Sequence, residues 1–90
     1  MAQPQPPRPS PELAALWRAR LATARASYDV AVAEFRRLSA EYHEHAAPHA
    51  DSGFGLRRAL AVERDARRRY AEVLQIFTNL IVNGKFPPED

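Results

Sequence analysis

The chain has no cysteine, a single lysine and only three glycines among its 90 residues. Without cysteine there is no disulfide staple and no thiolate metal site. Eight prolines are present, but apart from Pro48 they lie at the two ends. Between Pro11 and Pro48 nothing breaks a helix. No apolar run approaches the roughly 20 residues that a membrane span needs. The N-terminal stretch lacks the apolar core of a secretory signal, so a cytoplasmic location is expected. Leu21-Ala-Thr-Ala-Arg25 resembles an organelle presequence in flavour, but Glu12, Asp29 and Glu34 run against the acid-poor character of such peptides.

Thirteen basic residues face eleven acidic ones, for a formal charge of +2. Twelve of the thirteen are arginine, so the high isoelectric point reflects a small excess of permanently charged groups, not a strongly basic surface. Arginine and alanine richness with one lysine suggests a GC-rich bacterial genome. Aromatic residues make up 9% and hydrophobic residues 46%, ordinary proportions for a folded chain.

Met1–Pro9 is dense in proline and is expected to be a disordered leader with polyproline II character. Ser10-Pro11-Glu12 then marks a helix start. Serine caps free N–H groups, proline suits the first helical position and glutamate favours the positive end of the helix dipole. From there Trp17, Leu21, Ala24, Tyr28, Ala31, Phe35, Leu38 and Tyr42 recur at alternating spacings of four and three, a heptad seam. The first helix is expected over residues 11–46, about 50 Å long.

Pro48 biases its predecessor away from helix, and a loop is expected over 47–53. The second helix is expected over 54–83, with Gly84 as a left-handed C-cap and Pro87-Pro88 blocking continuation. Its seam runs Ala59, Glu63, Ala66, Tyr70, Val73, Phe77, Leu80. Residues 85–90 form a short C-terminal tail. Two long helices with a short connection predict an all-α antiparallel two-helix hairpin, coiled-coil-like, over residues 10–84. With the loop centred near residue 49 or 50, residue i faces about residue 99 − i. Large side chains of one helix then oppose alanines of the other, which permits close interdigitation.

The last third of the second helix is apolar nearly all round, and a helix of that kind is normally buried. Two helices cannot enclose it. Leu13, Leu16, Trp17, Leu74, Phe77, Leu80 and Ile81 therefore form an expected partner-binding patch at the end far from the loop. The partner is a second copy, completing a four-helix bundle, or another protein. Glu63 and Arg67 interrupt the apolar run in mid-helix. They are expected either to fix register and partner choice or to snorkel out of the seam.

Arg57, Arg58, Arg64, Arg68 and Arg69 make the densest basic region, an alternative anion-binding face able to track phosphates. Acids are spaced to neutralise much of it, with Glu63 four before Arg67, Asp65 four before Arg69 and Arg68 four before Glu72. Nucleic acid is the less expected partner, because no recognised motif and no aromatic interleaving accompany the arginines. His43, His45 and His49, with Glu41 or Glu44, invite a metal reading. His43 and His45 point about 200° apart on a helix, however, so no metal site is expected and a pH-sensitive tip is the simpler role. No nucleophile sits beside a base, and Gly53-Phe54-Gly55 is too short to cradle phosphate. No enzymatic activity, cofactor or small-molecule substrate is expected.

The size and hairpin plan resemble the small secreted helical hairpins with a Trp-x-Gly turn. The motif itself is missing: Trp17 lies in the first helix, the turn carries Gly53-Phe54-Gly55, and no tyrosine-plus-acid export signal follows the second helix. The chain is assigned to no family on this basis. The expected role is a non-catalytic interaction or assembly module.

Overall fold

The computed structural model describes residues 8–44 and 50–87, the side chains of residues 50–52 excepted. Most of the proline-rich leader, together with His45 and His49, lies outside the described residues. Two helices are present, α1 (Pro11–Glu44) and α2 (Ala50–Val82), packed against each other as a hairpin. Among the described residues there is no strand, and no helix is long and apolar enough to cross a membrane.

The first helix starts where its capping residue places it. Ser10 Oγ accepts a hydrogen bond from the Leu13 N–H at 3.1 Å, and the Ser10 carbonyl accepts the first helical bond from Ala14 at 3.0 Å. A free donor of the first turn is thereby satisfied. At the far end of α2, Gly84 adopts φ of 64°. That left-handed turn lets the Lys85 N–H reach back to the Asn79 carbonyl at 3.0 Å, which also accepts from Asn83 at 3.1 Å. The side-chain amides of Asn83 and Asn79 are bonded at 3.0 Å beside them.

The second helix begins at Ala50, so residues 50–53 of the expected loop are helical. Gly53 and Gly55 are the reason for the difference. Glycine weakens a helix by about 1 kcal/mol relative to alanine but does not forbid it. A Cβ added at either position would meet nothing within 4 Å, so neither glycine marks a tight turn or a close approach.

The seam is the one that the heptad spacing predicts. Trp17, Ala24, Val73 and Leu80 form a buried cluster, with Leu13, Leu21, Tyr70, Ile76 and Phe77 packed against it. Ala31 and Ala59 are buried further toward the loop. Tyr28 lies against Tyr70 with ring centroids 6.0 Å apart, one residue from the pairing expected for a turn centred near 49 or 50. The six buried hydrophobic residues include three alanines. The core is therefore narrow, and its larger side chains gather at the end far from the loop.

Candidate functional site

Three surfaces are built on this frame. The first is the apolar end. Its residues divide according to their angle on the helix. Trp17 and Leu80 belong to the heptad seam and are buried within the hairpin, while Leu13 and Phe77 are half-buried beside them. Leu74 and Ile81, each one residue past a seam position, flank the seam on one side and stay 41% and 43% exposed. Leu16 precedes Trp17 and is exposed on the opposite side of the seam. Val82 and Phe86, outside the expected patch, extend it at 69% and 56% exposure. Phe86 was legible in the sequence as an aromatic residue just past the Gly84 turn.

The second surface is a groove along one side of the hairpin. Its wider part, about 680 Å³, is lined on α1 by Leu16, Arg20, Thr23 and Ser27 and on α2 by Ala66, Arg69 and Ile76, with Trp17 and Ala24 at its floor. A narrower part of about 210 Å³ is lined by Ala31, Glu34, Leu38, Gly55, Arg58, Ala59 and Val62. Residues 20, 27 and 34 recur every seventh position on α1, as do 55, 62, 69 and 76 on α2. Such residues share one stripe of a coiled-coil helix, so the two parts lie along the same side of the hairpin. On the other side the larger ring residues close the seam. Tyr28 tilts against Tyr70, and the Arg25 guanidinium lies 5.7 Å from the Tyr70 ring centroid and donates to its hydroxyl at 3.3 Å. That hydrogen bond, with the nearby Tyr70 and Asp29 oxygens, holds the Arg25 pKa above its ordinary value. The sequence pattern showed the seam but not the groove, because a period count does not say on which side the larger residues fall.

The third surface is the arginine-rich face. Arg68 bonds Asp65 at 2.9 Å, three residues back, in place of the expected Asp65–Arg69 and Arg68–Glu72 pairs. The geometry explains the exchange: Arg69 flanks the seam and lines the groove, whereas Arg68 and Asp65 share the outward face. Arg57, Arg58, Arg64 and Arg69 are exposed and make no ion pair among the described residues. Glu63 sits in the seam with its side chain 12% exposed, and Arg67 reaches it at 4.0 Å from a largely exposed position. Arg67 thus snorkels outward while Glu63 stays at the interface. On α1, Arg37 bridges Glu34 and Glu41 at 2.6 and 2.8 Å, and Arg25 approaches Asp29 at 3.5 Å. The hydrogen bond from Arg37 lowers the Glu34 pKa, and the same contact raises that of Arg37.

Comparison with protein-family models, curated proteins and solved structures finds no match. His43 lies in the last turn of α1, edge-on to Tyr42 at 5.8 Å, where a cation complements the negative helix end. Among the described residues no group of three metal-ligating side chains converges.

Proposed function

We propose that the chain is a non-catalytic helical assembly module whose apolar end, far from the loop, packs against a second copy to complete a four-helix bundle. The observation that supports this is the run of exposed Leu74, Ile81, Val82 and Phe86 at one end of a hairpin whose own core is narrow. Isolated helices are marginal in water, and their stability comes mainly from packing an apolar face. Burying about 600 Å² of apolar surface there is worth about 15 kcal/mol gross, before association costs. Arginine and glutamate along the flanks set the register of the pair.

The test is solution mass by light scattering over a hundredfold concentration range, on the wild type and on Leu74→Glu and Ile81→Glu. Leu80→Asp is unsuitable, because Leu80 is fully buried inside the hairpin, where a carboxylate would destabilise the monomer itself. The expected result is a wild-type dimer and monomeric variants with unchanged helicity. A wild type that stays monomeric throughout, or variants that keep the wild-type mass, overturns the proposal.

A second reading is that Arg57, Arg58, Arg64, Arg68 and Arg69 bind a nucleic acid or another anionic surface. It is favoured by one observation: four of the five lack an ion pair among the described residues. Phosphate binding weakens steeply with salt, whereas apolar assembly persists. Affinity for a DNA duplex that does not change with salt rules this reading out.

A further inference from the structure

The groove on the opposite side of the seam from Leu74 and Ile81 goes beyond that assembly. We propose that it is a docking site for an amphipathic helix of another protein, one whose apolar stripe is flanked by carboxylates.

Two observations carry the proposal. The first is shape. The groove's two parts share one stripe on each helix, and its floor includes Ala24, Ala31, Ala59 and Ala66. Short side chains there let a third helix approach closely, and the hairpin supplies two sides of a three-helix bundle. The second is charge. Arg58 and Arg69 line the groove on α2, neither makes an ion pair among the described residues, and the one acid in the described lining, Glu34, is already bonded to Arg37. The Arg20 guanidinium lies 4.6 Å over the Trp17 ring, so a positive charge stands directly beside the apolar floor. An incoming helix with leucines along its seam and glutamates at its margin meets apolar surface below and the Arg58 and Arg69 guanidinium groups along the α2 rim.

The chain's own second copy is a poor occupant. Arg69 lies within a turn of the middle of α2. A two-fold pairing of groove on groove, centred on the hairpin, sets the Arg69 side chains of both copies near one another, and like charges there are destabilising. Five acids of the described residues are also engaged already: Asp29, Glu34, Glu41, Glu63 and Asp65 each pair with an arginine of the same helix.

Trp17 is the chain's one tryptophan and lines the groove, so its emission reports occupancy. The probe is a synthetic helical peptide of about 20 residues, some 30 Å long, with leucines at seam positions and glutamates beside them. Its control carries lysine at every glutamate. The expected result is a saturable change in Trp17 emission with the glutamate peptide and none with the lysine peptide. Arg69→Glu weakens binding about tenfold or more, while Arg64→Glu, the same charge change on the outward face, weakens it less than threefold. Equal binding of both peptides, or equal loss in the two variants, overturns the proposal. So does the absence of any saturable change at about 1 mM glutamate peptide. Because the readout is Trp17 emission and not mass, a negative result here leaves the dimer test standing, and the reverse also holds.

Discussion

Val73 and Val30 offer the same deletion in opposite environments. Val73 is 1% exposed in the core cluster, and Val30 is 69% exposed at mid-length on α1. Valine to alanine removes two methyl groups. At about 0.8 kcal/mol for each buried carbon, Val73→Ala loses about 1.6 kcal/mol of transfer free energy. A cavity between Ala24 and Leu80 adds about 1 kcal/mol, since close neighbours collapse only in part. Alanine's better helix propensity returns about 0.5 kcal/mol. The net expectation is a loss of about 2 kcal/mol. At Val30 only about a third of the transfer term applies, and the propensity gain cancels it, so Val30→Ala is expected within about 0.5 kcal/mol of wild type. The assay is urea denaturation followed by helical circular dichroism at one fixed protein concentration, with m unchanged in both variants. In a thermal melt, Val73→Ala should fall about 8–16 °C below wild type. Two variants of equal stability would refute the assignment of the seam, because the whole contrast rests on which valine faces the partner helix.

Two further outcomes follow from single contacts. Gly84→Ala forces a side chain into the left-handed region at φ of 64° and should cost about 1–2 kcal/mol, seen as fraying of the last turn of α2 in amide exchange. Glu34 has its folded pKa lowered by Arg37 from an ordinary value of 4.5. The stability from that contact is therefore present above pH 4.5 and lost as pH falls through the lowered value. Arg37→Gln should flatten this part of the acid dependence of the melting temperature while leaving the neutral-to-alkaline range flat. An unchanged acid profile in the variant would show that the Glu34–Arg37 contact is too exposed to matter.

Much of the fold was legible because the heptad spacing is a direct image of one helix face. Ser10, the alternation from Trp17 to Tyr42 and Gly84 each carry a local physical signal, and each signal matches the observed element. The start of α2 was not legible, because Gly53 and Gly55 read as turn residues although both point into open space. The apolar end was legible only as a composition. Leucine and tryptophan cluster there, but the heptad spacing already assigns Trp17 and Leu80 to the seam, so the same two residues cannot also serve an outward patch. The structure puts both in the seam and leaves Leu74, Ile81, Val82 and Phe86 outside. The groove was not legible either, since it depends on the two seams meeting with small residues on a common side.

The position of the core has a kinetic consequence. Its best-buried side chains join Trp17 near one end of the described chain to Leu80 near the other. Nearer the loop, where contacts are easiest for a searching chain to make, the buried residues are Ala31 and Ala59, which remove little apolar surface from water. The contacts that reward closure are those that need the longest closed segment, and the entropy of closing a segment grows with its length. Helical proteins usually fold fast because their contacts are local. This hairpin places its reward at the greatest separation that its topology allows, so its folding rate should lie toward the slow end for a protein made only of helices.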